Sequence, residues 1–245
     1  VKLSKDVDLK FDVGDLVGYT GSDLVFLVGP PGSRWSILFK ALSESKSINT
    51  SDWSNWEYEN TIQHKIYNFH DELITAGSHR GTYWGPHNKF GHEFDVLNKL
   101  SKAEILLEFQ KPFENWSGTK VIKSHWFAYH LDHLHGLFPD AKIISCYAND
   151  MDCFFWWKKC GGWGMFYPKY NWYETDEKLL AKIKEENYCI LKFNQDRDVP
   201  FEWITRNALC DRIGIERPES EDVELWSRVA IHNKRHIRNF RHILN

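Results

Sequence analysis

No apolar run in the 245-residue chain approaches the roughly 20 residues that a helix needs to span a bilayer, so no membrane partner is expected. The opening residues, VKLSKDVDLKFDVGD, carry too much charge for a signal peptide. Cysteine is sparse and odd in number, at positions 146, 153, 160, 189 and 210, with no Cys-x-x-Cys pair. That speaks against a disulfide framework and for reduced core or pocket thiols in a cytoplasmic protein. Positive charge is not in excess: 31 Lys and Arg face 34 Asp and Glu, a net charge of −3, which argues against a protein built around the nucleic-acid backbone. No Pro/Gly/Ser-rich linker, charge block or internal repeat divides the chain, so residues 1–245 are expected to form a single domain.

What the chain does have is a core and a surplus of indoles. Hydrophobic residues make up 42%, enough to bury a substantial interior. The 12 tryptophans exceed what a core alone needs and suggest a cleft in which aromatic faces meet a ligand. Leu24–Gly29 (LVFLVG) is a short apolar run without alternation, the pattern of a strand buried on both faces of a parallel sheet. A turn, PPGS, follows, and Trp35–Ser45 then places apolar residues at helical spacing. Further strands are predicted at Thr119–Ser124 and Ala141–Tyr147, with helical character between them at Trp126–Phe138. Helices are predicted at Asp150–Lys159, Thr175–Asn187, Pro200–Ile213 and Glu219–Arg241. The fold class is therefore α/β, a central parallel sheet flanked by helices with a helical C-terminal part, and its ligands should gather at the carboxyl ends of the strands. Two segments rich in Gly and aromatics, Gly77–Phe94 and Gly161–Tyr173, read as walls or lids of a pocket.

The turn between the first strand and its helix is the segment that points to chemistry. Such a turn aims backbone N–H groups and the positive end of a helix dipole at one spot, where a phosphate or sulfate fits. Gly29 and Gly32 permit close approach, Ser33 and Ser36 offer hydroxyls, and Arg34 adds a charge. Amides from Gly32 to Ser36 are expected to converge on the anion. The Walker pattern G-x-x-x-x-G-K-S/T is not met, since GPPGSRWS has no Lys to reach terminal phosphates. A nucleotide kinase is thereby disfavoured. An ordinary βα turn and a non-catalytic anion-binding module remain open at this point.

Gly29-Pro-Pro-Gly-Ser-Arg-Trp-Ser36 resembles the 5′-phosphosulfate loop of sulfotransferases that use 3′-phosphoadenosine 5′-phosphosulfate (PAPS). Val121-Ile-Lys-Ser-His125 resembles the Ile-Lys-Thr-His segment of that family, and Phe138-Pro-Asp-Ala-Lys-Ile-Ile144 its Phe-Pro-x-Ala-Lys-Ile-Ile strand. Asn149-Asp-Met-Asp152 is similar to its Arg-Asn-Pro-x-Asp. Order and spacing agree over about Leu24–Lys159. The resemblance implies a P-loop NTPase-like, sulfotransferase-like fold, PAPS as donor and a hydroxyl of a small molecule or carbohydrate as acceptor. It implies catalytic roles for His125 as general base, for Lys123 on the sulfuryl or bridging oxygen and for Arg34 on leaving-group charge. Pro31, Gly32, Ser33, Arg34, Trp35 and Ser36 would bind the donor. Gly32 stands where the family has Lys or Arg, Ala148 where it has Arg and Trp156 where it has Ser. The last two positions normally hold the 3′-phosphate, for which Lys158, Lys159 or the basic run Lys234–Arg241 would have to substitute. An anion- or nucleotide-binding module descended from the same fold is the alternative function, and another nucleotide-dependent transferase a third.

His130, His133 and His135 do not stack on one helix face, and no Cys or carboxylate set completes a tetrahedral site, so no metal is expected. The basic run Asn233–Arg241 reads as one face of an exposed amphipathic helix.

Overall fold

The computed structural model describes residues 18–52, 65–67, 73–76, 82–85, 94–160 and 170–233. Along the chain these form β1 (Leu24–Val28), α1 (Trp35–Ser43), β2 (Lys65–Tyr67), β3 (Leu73–Ala76), β4 (Thr82–Tyr83), α2 (Lys102–Gln110), β5 (Lys120–Lys123), α3 (Leu131–Leu137), β6 (Lys142–Tyr147), α4 (Asp150–Lys159), α5 (Asp176–Gln195), β7 (Glu202–Thr205), α6 (Arg206–Ile213) and β8 (Glu224–His232). Two 3₁₀ segments, Phe94–Lys99 and His125–His130, precede α2 and α3. Six strands form one mixed sheet in the order β4-β5-β1-β6-β8-β7, and β2-β3 is a separate antiparallel pair.

β1 sits at the centre, parallel to β5 on one side and β6 on the other. All five of its residues are buried because the sheet is covered on both faces. Leu24, Phe26 and Val28 enter one core with Ile122, Ile143, Phe109, Phe127 and Phe138. Val25 and Leu27 enter the opposite core with Val121, Ile144, Leu38, Leu42, Leu209 and Ile213. A two-residue side-chain period thus divides one apolar run between two layers of helix. Since β4, β5, β1 and β6 run parallel, the turns after β1, β5 and β6 emerge at one edge, where this architecture collects ligands.

The predicted strand–turn–helix at β1–α1, the strands β5 and β6 and the helix α4 are present within a residue or two of their expected bounds. The C-terminal part departs from expectation. Glu219–Arg241 is not a helix over its described length: Glu224–His232 is β8, antiparallel to β6. Its exposed and buried residues alternate through Val229, and the last four are all buried, which is a strand entering the interior of a sheet and not a 3.6-residue stripe. Pro200–Ile213 likewise opens with the strand β7 before α6 begins. The sheet is therefore mixed, with an antiparallel pair closing one side. Trp126–Phe138 begins as a 3₁₀ segment and α5 runs eight residues past Asn187 to Gln195. Residues 234–241 of the basic run lie outside the described residues. All five cysteines are free thiols, and among the described residues no helix is long and apolar enough to cross a membrane.

β8 ends on a buried histidine. The His232 ring packs 4.9 Å from that of Phe193 on α5 and 5.8 Å from that of His135 on α3, and neither of its nitrogens has a hydrogen-bond partner. Burial pushes its pKa down to about 4, with the nearby His135 and Arg197 adding to the effect. A group whose folded pKa lies below its unfolded value of 6.5 contributes stability above that value and loses it as pH falls toward 4. The Tm of the wild type should therefore fall on acidification through this window, and His232→Phe should make the decline shallower. An identical decline in both would show that His232 does not carry it.

Candidate functional site

The β1–α1 turn is seated by Gly32, whose φ of +81° lies in the left-handed region. A methyl group there would overlap the carbonyl of Cys153 and come within 2.9 Å of the Trp157 amide, so only glycine lets the turn lie against α4. Ser33 donates its amide to the Pro30 carbonyl at 3.0 Å, and the first helical bond runs from the Ile37 amide to the Arg34 carbonyl at 3.1 Å. Within the expected Gly32–Ser36 set the Ser33 amide is thereby taken up by the turn itself, whereas the Trp35 and Ser36 amides precede the first intrahelical bond. Ser33 Oγ is buried with no hydrogen-bond partner, which is the condition of a hydroxyl awaiting an acceptor or donor.

Arg34 leaves this cradle. Its backbone, at φ 69° and ψ 16°, turns the side chain toward α4, where the guanidinium stacks 3.8 Å from the centroid of Trp156. Nη1 donates to the Trp226 carbonyl at 3.5 Å, and Trp226 itself holds a left-handed φ of +50°. Lys159 Nζ approaches the same indole at 4.9 Å, whereas Lys158 is committed to Asp176 at 2.7 Å. Two cations thus gather on Trp156. Arg34 was expected beside the 5′-phosphosulfate; an electron-rich ring within reach draws its charge to α4 instead.

At the end of β5, Lys123 is 3% exposed and its Nζ lies 4.2 Å from the Phe39 ring centroid. Burial pushes its pKa down to about 7, against the pull of Asp52 in the other direction. His125 lies just past the strand, at the start of the 3₁₀ segment that Ser124 caps by accepting from the Trp126 amide at 3.1 Å. Its ring meets that of Trp35 at 6.2 Å. Trp35 and Phe39 are i and i+4 on α1, so Lys123 and His125 address successive turns of one helix, as their spacing on a common face implies.

Both nitrogens of His125 are engaged. Nδ1 lies 3.0 Å from Oε1 of Glu186 on α5, and Nε2 lies 2.9 Å from the Tyr83 hydroxyl and 3.3 Å from that of Tyr173. A carboxylate only accepts, so Nδ1 carries the proton and Nε2 is left to accept from the phenols. Glu186 is wholly buried, and Lys182 Nζ stands 3.7 Å from the same Oε1. Lys182 is boxed by Trp126, Trp172 and Tyr129, at 4.0, 4.6 and 4.3 Å from their centroids, and donates to the Tyr129 hydroxyl at 2.8 Å. Part of each expected wall segment is here, Tyr83 from one and Trp172 and Tyr173 from the other, whereas Trp84 packs in the core against Phe109 and Phe127. Residues 77–81, 86–93 and 161–169 lie outside the described residues.

Glu186, Lys182, Tyr83 and Tyr173 were not singled out from sequence. Glu186 had a legible signal, for it falls in the buried stripe of α5 with Leu179, Ile183, Ile190 and Phe193, where a carboxylate is costly without a partner. Tyr83 had none, being one aromatic among many in a segment without period. His130, His133 and His135 lie on the 3₁₀–α3 stretch, and among the described residues no group of three His, Cys, Asp or Glu could hold a metal ion. Comparison of the chain with protein-family models, curated proteins and solved structures finds no match.

The buried ammonium gives a test of its own. Lys123 holds its proton up to about pH 7 when folded and up to 10.5 when unfolded, so its cost to stability is full below pH 7 and fades toward 10.5. Lys123→Met should raise the urea midpoint most at neutral pH and below, with the gain shrinking as pH rises. A gain that does not change with pH would mean that Lys123 is solvated.

Proposed function

We propose that the chain is a sulfotransferase with a P-loop NTPase-like fold, moving a sulfuryl group from PAPS to a hydroxyl of a small molecule or carbohydrate. The observation that carries this reading is the buried Glu186–His125 pair at the carboxyl edge of the sheet, with Nε2 turned toward hydroxyl groups beside the β1–α1 turn. An acceptor hydroxyl must lose its proton as it attacks, and a neutral imidazole within about 3 Å takes it. Glu186 then meets the imidazolium with a fixed negative charge, as a carboxylate does for the histidine of a catalytic triad.

The chain's groups suit an anionic donor. Bound, PAPS would supply an electrophilic sulfur and a phosphate leaving group. The Ser33 hydroxyl, the first-turn amides of α1 and Lys123 are the groups to hold the 5′-phosphosulfate. An ammonium that desolvation holds near neutrality regains its proton beside an anion, so Lys123 would be charged when the donor is present. Arg34 and Lys159, gathered on Trp156, are the groups to meet the 3′-phosphate in place of the family's Arg and Ser.

A non-catalytic anion- or nucleotide-binding module is the second reading. What favours it is that Tyr83 and Tyr173 cap Nε2 and that the pocket is closed: His125 is 3% and Tyr83 2% exposed. Sulfate transfer to a panel of hydroxyl acceptors separates the two. His125→Ala should lower turnover about 10²–10⁴-fold while calorimetry with 3′-phosphoadenosine 5′-phosphate shows unchanged affinity. Nucleotide binding with no transfer by the wild type would select the module, and equal transfer by His125→Ala would remove His125 as the base.

Arg34→Ala addresses the second anion contact. The ratio of affinities for nucleotides with and without the 3′-phosphate should fall toward one, by on the order of 10-fold or more, the worth of one charged hydrogen bond. The loss should be larger in low salt than in high salt. An unchanged ratio would release Arg34 from this role.

A further inference from the structure

We infer that Tyr83 is an internal acceptor, a phenol that the protein sulfates on itself; the inference rests on the sulfotransferase reading. An acceptor has to bring a hydroxyl within hydrogen-bond reach of the base and beside the donor's anion site. Tyr83 meets the first condition at 2.9 Å from His125 Nε2, the shorter of the two phenol contacts. Its place meets the second. β4 runs parallel to β5 and ends at Tyr83, at the same edge of the sheet as the β1–α1 turn. The Tyr83 ring packs edge-on to Trp35, the first residue of α1, at 6.2 Å. Tyr83, His125 and Trp35 are mutual neighbours, with ring centroids 5.9–6.2 Å apart, so the phenol lies beside both the base and the first residue of the helix that would hold the phosphosulfate. Tyr173 is held differently, its ring 5.5 Å from that of Trp157 among the residues packed on α4 and α5.

The hydroxyl is kept there by its surroundings. Trp84 donates its amide to the Lys123 carbonyl at 2.9 Å, which fixes β4 against the end of β5. The Tyr83 side chain then lies back over Gly85, where a methyl group would come within 2.6 Å of the hydroxyl and 2.7 Å of the ring. Glycine at this position leaves the phenol room to reach His125.

In the transfer, Tyr83 Oη forms a bond to sulfur. The bond from sulfur to the bridging oxygen breaks, and its electron pair stays on the 5′-phosphate. The phenolic proton passes to His125 Nε2, and from there to solvent. The products are a tyrosine sulfate ester and 3′-phosphoadenosine 5′-phosphate, with no change of oxidation state. An acceptor held in place reacts with an effective concentration of about 10⁵ M or more, so the labelling needs no added phenol. The ester has no proton to give, so each Tyr83 reacts once.

The purified chain is incubated with PAPS carrying sulfur-35 and no added acceptor, and the label is located by peptide mass spectrometry. The expected result is one sulfuryl group per chain on Tyr83. Tyr83→Phe should bring the label to background and His125→Gln should slow its appearance about 10²-fold or more. Gly85→Ala, which displaces the phenol, should slow it too. Affinity for 3′-phosphoadenosine 5′-phosphate, measured by calorimetry on each variant, reports that the chain is folded and the donor site intact. Donor binding and transfer to an added phenol, with Tyr83 unlabelled, would overturn this inference and leave the sulfotransferase reading standing. Label on another residue that persists in Tyr83→Phe would overturn it as well. Absence of donor binding in the wild type would overturn both.

Discussion

A carboxylate with no exposure has to be answered by protons or cations inside the protein, and the site is organised around that requirement at Glu186. Two groups answer the same oxygen: His125 Nδ1 at 3.0 Å and Lys182 Nζ at 3.7 Å. The first contact sets the tautomer and orientation of the imidazole. The second holds α5 to the 3₁₀ segment after β5, because Lys182 also bonds Tyr129 and lies on the ring of Trp126. One buried charge thereby fixes both the chemistry of His125 and the distance between the helix and the sheet edge that present it. Removing either partner would leave a charge uncompensated, a change that costs about 3–5 kcal/mol in comparable buried pairs.

The aromatic surplus follows from the same need to keep charges in a dry place. Lys123 lies on Phe39, Arg34 and Lys159 on Trp156, and Lys182 among Trp126, Tyr129 and Trp172. A ring face attracts a cation without cancelling its formal charge, which a carboxylate would do. Cations stored in this way keep a field that an incoming anion can use, at a cost in desolvation that Lys123 displays by its lowered pKa. Tryptophans of this chain therefore serve as seats for charge as much as walls for a ligand.

The parts of the fold legible in the sequence are those whose signal is local. Leu24–Val28 is apolar throughout and ends in Gly and Pro, so β1 and its turn could be placed from composition alone. The S-x-x-E of Ser101–Glu104 is an equally local signature, a capping box that starts α2, although no helix was drawn there. β8 was lost because Val229-Ala-Ile-His232 is buried on both faces, which erases the alternation that its first half shows, and the basic residues that follow resemble a helix face. Lys123 at the end of a strand and His125 just past it were legible because the apolar run before them marks β5 locally. The stacking of Arg34 on Trp156 was not legible, since its left-handed backbone and an indole 122 positions away are facts of tertiary structure.

The hydrogen bonds at His125 Nε2 bear on how the proposed transfer would reach an external hydroxyl. His125 Nε2 has to accept from some hydroxyl, because a buried ring nitrogen without a partner forfeits the energy of its hydrogen bond with water. Tyr83 and Tyr173 satisfy it in the absence of any ligand, at distances of 2.9 and 3.3 Å. An external acceptor must then exchange its own hydroxyl for one of theirs, and the exchange is nearly even in hydrogen bonds, so shape and desolvation decide which acceptors succeed. A ligand that brings only a hydroxyl gains little over Tyr83; one that also stacks on Trp172 or Trp126, whose rings lie 4.9 Å apart beside His125, gains the difference. Under the proposed transfer, the phenol that caps His125 Nε2 would thus set the threshold of affinity that an acceptor has to exceed.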